Sequence, residues 1–167
     1  MDPNHISMNQ KPIRRNEHLL QFSREHHFTL LFSWKIRRGL KNKVAMERIV
    51  NYVAFFWHQH LQPHFLAEEK MLFALVQDEM VQKAIREHLT IQEEVHEMAN
   101  HSTSRVEKLL GQLADKVDNH VRFEERQLFP HLEKILSKEQ LEKIGIQLKE
   151  QPAFSPAEEY SDIFWAC

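Results

Sequence analysis

His64-Phe-Leu-Ala-Glu68-Glu69-Lys-Met-Leu72-Phe73 returns 56 positions later as His120-Val-Arg-Phe-Glu124-Glu125-Arg-Gln-Leu128-Phe129. Each copy reads His, three residues, two glutamates, two residues, Leu-Phe. On an α-helix, residues four apart lie one turn above each other on the same face. Each His therefore points the same way as the first Glu that follows it. A shorter repeat precedes each copy: Arg24-Glu25-His26 and Arg86-Glu87-His88. The order REH, HxxxEE, REH, HxxxEE reads as one helical hairpin doubled.

The chain around these repeats has helical periodicity. A first helix is predicted over about residues 16–41, capped by Asn16 and ended by Gly39 and Asn42. The second spans about 44–76, with a kink expected just before His64 because Pro63 removes a backbone donor. The third covers about 79–100 with Asp78 as N-cap, and the fourth runs from Ser102 to about 136 with Pro130 bending its last turns. Ser137-Lys-Glu-Gln140 matches a capping box, so a short fifth helix to about 149 follows. The predicted fold is all-α: an up-down-up-down four-helix bundle over 16–136, an N-terminal arm over 1–15, and a short helix and tail over 137–167. Tyr160, Ile163, Phe164 and Trp165 suit packing onto either the domain or a partner, and the sequence does not choose.

Composition narrows the function. The 167 residues suffice for one domain, with 42% hydrophobic and 28% charged residues and only three glycines. A net charge of -2 argues against nucleic acid as a partner. The basic run from Lys35 to Lys43 is read as a helix C-terminus, where cations meet the negative end of the dipole. No apolar run approaches the ~18 residues of a membrane span, and the N-terminus lacks signal-peptide character, so a cytoplasmic protein is expected. The single cysteine, Cys167, excludes an internal disulfide or a thiolate zinc cluster.

Twelve histidines are the unusual number. A lone His-x3-Glu pair is ordinary on a solvated helix face. Both copies here sit among apolar residues, and a carboxylate or imidazole facing a core must be paired or bind a metal. His26, His64, His88 and His120, with Glu68 and Glu124, converge at one level of four helices. Such ligands suit iron, manganese or zinc. Two octahedral ions offer about twelve positions; four imidazoles, two bridging carboxylates and an oxo or hydroxo bridge fill about ten, leaving about two open. His27 is an alternative to His26, and His60, one turn before His64, suits a supporting role or a core boundary. Glu69 and Glu125 are read as supporting or solvent-facing.

These residues, in this order and with Pro130 after the second copy, resemble the hemerythrin-like HHE cation-binding domains over about residues 16–136. The resemblance implies a bundle holding two iron ions with an oxo or hydroxo bridge. By residue, it makes His26, His64, His88 and His120 terminal ligands and Glu68 and Glu124 bridges. Two positions depart from the oxygen carriers. Those have a fifth histidine on the third helix, where Gln92 stands here, and an acidic ligand five residues after the fourth-helix histidine, a spacing that Glu125 would fit. The four-histidine pattern looks more like members linked to iron-sulfur cluster repair, nitric oxide handling or iron sensing.

Three readings follow. The first is a di-iron protein that binds oxygen or nitric oxide, or handles iron, for sensing, storage or stress response. The second is a redox protein of the repair type, for which the missing cysteine-bearing N-terminal segment counts against. The third is a structural or interaction bundle without metal. No separate catalytic acid, base or nucleophile stands out, so enzyme status stays open, as does oligomeric state.

Overall fold

A computed structural model describes residues 14–152 and 160–166. Most of the expected N-terminal arm, His5 and Cys167 lie outside the described residues. The chain forms a four-helix bundle with additional short helices. Asn16 accepts a hydrogen bond from the His18 N–H and caps a 3-10 turn, Glu17–Leu19, that leads into α1, Leu20–Lys41. Helix α2 occupies 46–71, α3 is Glu79–Glu97 and α4 occupies 103–135. The capped helix α5, Lys138–Lys149, follows, and its Ser137–Gln140 capping box is present. Asp78 caps α3 by accepting from the Val81 N–H. Ser102 occupies the N-cap of α4 but makes no side-chain capping bond.

The two prolines act through wider turns rather than simple breaks. In α2 the stretch Trp57–Leu61 is π-helical, and the Gln62 N–H reaches back five residues to the Trp57 carbonyl. In α4 the stretch Glu124–Leu128 is π-helical, and the Phe129 N–H bonds the Glu124 carbonyl. Each wide turn ends just before a proline, where the missing N–H and the ring leave no regular continuation. The sequence repeat is thus not a backbone repeat: the π-turn precedes the first His-x3-Glu copy and begins within the second.

Two apolar clusters lie along the bundle. One gathers Phe32, Ile49, Tyr52, Phe56, Trp57, Leu113 and Val117; the other holds Leu19, Phe22, Leu72, Phe73, Leu128, Phe129 and Ile144. Helix α5 contributes Leu141, Ile144 and Leu148 to the second. Between them lie the buried polar residues His26, His64, Glu68, His88, His120 and Glu124.

The described part of the tail packs back onto the domain. Phe164 is fully buried, its ring 5.4 Å from that of Tyr52. Tyr160 packs on Phe55 at 4.8 Å, the Lys35 ammonium lies 4.1 Å from the Trp165 ring, and Arg48 holds Asp162 through two bonds of 2.9 and 2.5 Å. This contact revises the role of Gly39. It does not end α1, whose C-cap is Asn42; the only left-handed non-glycine residue described is Lys43, with φ 54°. Gly39 is needed because a Cβ there would sit 2.8 Å from the Phe164 ring and 2.9 Å from Ile49 Cδ1. Gly39→Ala is expected to destabilise by ~1–2 kcal/mol, since overpacking against a buried ring outweighs the helix-propensity gain. In a Phe164→Ala background the same change should cost much less, since only the flexible end of Ile49 then remains in the way. Thermal melts of the four proteins check this, and an equal loss in both backgrounds would refute the contact.

Candidate metal centre

Helices α1 and α3 each deliver one histidine to the central layer, and α2 and α4 each deliver a histidine and a glutamate. The helical four-residue offset places His64 Nε2 2.9 Å from Glu68 Oε1 and His120 Nε2 3.0 Å from Glu124 Oε1. The helices opposite complete the set. His26 Nε2 lies 2.9 Å from Glu124 Oε2 and 3.2 Å from Glu68 Oε1. His88 Nε2 lies 3.3 Å from Glu68 Oε2 and 3.5 Å from Glu124 Oε1. Both inner carboxylates are fully buried.

The atoms group into two overlapping sets. His26 and His64 share one, His88 and His120 the other, and Glu68 and Glu124 belong to both; within a set the ligand atoms all lie within 4.8 Å of one another. A first-row ion with ligands at ~2.1 Å places cis donors ~3.0 Å apart, the separation seen here. Six inward-facing atoms, Nε2 of His64, His88 and His120 with Glu68 Oε2 and both Glu124 oxygens, make no hydrogen bond although they are buried. Buried polar atoms left unpaired are costly unless something binds them. A cation on each set would satisfy them in place of histidine protons.

The other nitrogen of each ring is also held. His26 Nδ1 bonds Glu125 Oε1 at 2.6 Å, His64 Nδ1 bonds Glu25 Oε2 at 2.7 Å, His88 Nδ1 bonds Glu69 Oε1 at 2.7 Å, and His120 Nδ1 bonds Glu87 Oε2 at 2.7 Å. Each ring donates Nδ1–H outward, which leaves Nε2 free as the ligand nitrogen and raises its basicity. The repeats now acquire a spatial meaning. The second Glu of HxxxEE serves the REH histidine of a neighbouring helix, and the Glu of REH serves an HxxxEE histidine. The closing Phe of each copy stacks on the same REH ring: Phe129 on His26 at 5.4 Å and Phe73 on His88 at 5.8 Å. Spacing along the chain assigns Glu25 and Glu87 no partner, since each meets a histidine of another helix. Their constant place before the two REH histidines was the available signal.

Among the described residues, Glu125 is the outer carboxylate held most firmly from other sides. Glu125 accepts from Ser23 Oγ at 2.7 Å and from Arg15 at 3.0 Å, and the Arg15 guanidinium also binds Glu133 at 2.8 Å. Glu125 therefore orients His26 instead of joining either set, because Glu124 opens the π-turn and still keeps the regular four-residue offset from His120. His27 is exposed and lies outside both sets. His60 is half-buried against Phe56, ring centroids 5.1 Å apart. Gln92 is half-buried on α3. Among the other histidines, His131 bonds Asp78 at 2.6 Å and His58 and His96 are exposed.

Charges stabilise each other across the layer. Burial opposes the imidazolium of His64, but Glu68 and Glu25 outweigh it and raise the pKa to about 9. Burial and the nearby Glu124 disfavour the Glu68 carboxylate, and His64 and His26 overcome both, bringing it to about 2. Burial likewise opposes charge on His26, His88 and His120, and the surrounding glutamates still hold all three above their usual range. Glu124 is held well below the carboxylate range against burial by His120, His26 and His88. The buried glutamates thus favour positive charge on all four histidines, positive charge that two divalent ions would supply on displacing their protons. The charge balance fits a pair of such ions.

Breaking one outer bond tests this arrangement. Glu87→Gln should weaken binding at the His88–His120 set by roughly 10–100-fold and leave the other set nearly unchanged. A metal titration followed by isothermal calorimetry separates the two, and equal weakening of both would refute the pairing.

No helix among the described residues is long and apolar enough to cross a membrane. No match was found among curated proteins or solved structures. The family model described as the hemerythrin HHE cation-binding domain matches residues 19–132. With two His/Glu clusters positioned to chelate a di-iron centre inside a four-helix bundle, the chain belongs to the hemerythrin HHE cation-binding domain family.

Proposed function

We propose that this protein binds a small ligand, oxygen or nitric oxide, at a di-iron centre for sensing, storage or stress response. The observation that carries the reading is the donor set. Four imidazoles and two shared carboxylates supply about eight of the about twelve positions of two octahedral ions, so the centre remains unsaturated by protein. Gln92, where the carriers have a fifth histidine, leaves that count low. Bound iron would supply the redox couple and the coordination positions for the ligand.

The chain's own residues do the rest. The outer glutamates hold each ring so that Nε2 faces the centre. Phe22 meets His64 edge-on at 5.8 Å, and Phe65 stacks on His88 at 3.8 Å. With Phe73 and Phe129 these rings put apolar surface against the layer, which favours a small, weakly polar ligand.

Anaerobic loading with iron, metal counting and absorption spectra before and after oxygen or nitric oxide test the proposal. About two irons per chain and a ligand-dependent band are expected for an unsaturated pair of ions. Stoichiometric iron with no spectral response to either gas would sink the small-ligand reading while leaving the metal site intact.

A further inference from the structure

A cavity of about 380 Å³ lies between α1, α2 and the end of α5, and its wall includes His64 itself beside Glu25. A smaller hollow also reaches an outer carboxylate. This second hollow, about 250 Å³ between α3 and α4, touches Glu87 but neither of the histidines of its set. The two differ in charge and in backbone. The first adds Gln21, Gln59 and His60 to Glu25 and, among the described residues, has no lysine or arginine in its lining. The second includes Lys116, which is paired with Glu94. Gln59 and His60 belong to the π-helical turn immediately before Pro63 and His64. The α3 wall of the second hollow, by contrast, is regular α-helix. A hollow adjoining the first carries Arg24 and Lys149 beside Glu17, a lining less favourable to a cation than that of the first.

From these observations we propose that the α1–α2–α5 cavity is the port through which divalent first-row cations reach the centre, arriving first at the His26–His64 set. The inference rests on the di-metal reading of the layer. A carboxylate, an imidazole and amide oxygens are weak, exchangeable ligands for such ions, suited to replacing hydration water in steps. A hydrated ion with six waters occupies roughly 180 Å³ at ~30 Å³ per water, which the cavity accommodates. His64 lies at the inner end on a helix whose hydrogen-bond ladder is already interrupted by the π-turn and Pro63, so the wall that must yield is the one least tied.

The experiment is stopped-flow uptake of cobalt(II) by the metal-free protein, followed by cobalt absorption, with final stoichiometry from metal analysis. Gln59→Trp and, from the opposite wall, Gln21→Trp fill the cavity; Thr90→Trp fills the second hollow as control. Uptake slowed at least tenfold in either cavity variant, with unchanged final stoichiometry and with Thr90→Trp within twofold of the unsubstituted protein, supports the port. Equal rates in all proteins, or slowing in Thr90→Trp alone, overturn the port and leave the centre standing. No cobalt bound by the unsubstituted protein overturns the di-metal reading itself.

Discussion

Glu124→Ala should abolish tight binding of both metal ions, whereas His64→Ala should cost one. Glu124 and Glu68 are the only residues common to both ligand sets, while His64 belongs to a single set. Removing a shared carboxylate takes a ligand and a negative charge from both positions at once. The metal-free protein should suffer too. Glu124 holds His26 at 2.9 Å, His120 at 3.0 Å and His88 at 3.5 Å, so its loss leaves His120 with no inner carboxylate and His26 and His88 with Glu68 alone. Breaking a buried charge network by deleting one partner costs about 3–5 kcal/mol. That penalty should shrink at alkaline pH, where the histidines give up their protons. Metal analysis and urea unfolding of the two variants measure both effects. Two tightly bound ions in Glu124→Ala would exclude a bridging role for this carboxylate.

The second large effect concerns pH. Metal-free protein should be more stable at pH 6 than at pH 9, and metal-loaded protein should not share that loss. His64 titrates near 6.5 when unfolded and at about 9 in the fold. A raised pKa gives stability that is fully present below the unfolded value and disappears as pH climbs through the folded one. For His64 the shift corresponds to ~3 kcal/mol. His26, His88 and His120 shift in the same direction. Glu68 acts with the opposite sign: its contribution is present above 4.5 and fades as pH falls through about 2. The metal-free optimum therefore lies between 4.5 and 6.5. Two ions that replace the histidine protons should release about four protons per chain near pH 6, and fewer at pH 9. Urea unfolding with and without metal, and proton release in weakly buffered indicator, measure these quantities. A metal-free stability that rises from pH 6 to 9 would overturn the account.

The inner layer was legible because its information is local. His64 with Glu68 and His120 with Glu124 share a helix face by spacing alone, and their apolar neighbours require that face to be buried. His26 and His88 were legible through the repeat. The outer layer was not, because each outer contact crosses between helices: Glu125 to His26, Glu69 to His88, Glu25 to His64 and Glu87 to His120. Relative rotation and rise of two helices are set by packing of the whole bundle, and single-helix periodicity does not contain them. Pro63 and Pro130 announced an interruption, but whether the chain kinks or widens into a π-turn depends on what the neighbouring helices permit.

By itself, then, the sequence determined the residue types of the centre, the helices that bear them and the face each presents, since 3.6-residue periodicity dictates all three. The tertiary structure decided the rest. It made Glu124 a shared inner carboxylate and Glu125 an orienting one, turned Gly39 from an expected helix stop into the space that Phe164 fills, and docked the tail on the domain. These outcomes depend on distances between segments far apart in the chain, which only simultaneous packing of all the helices sets.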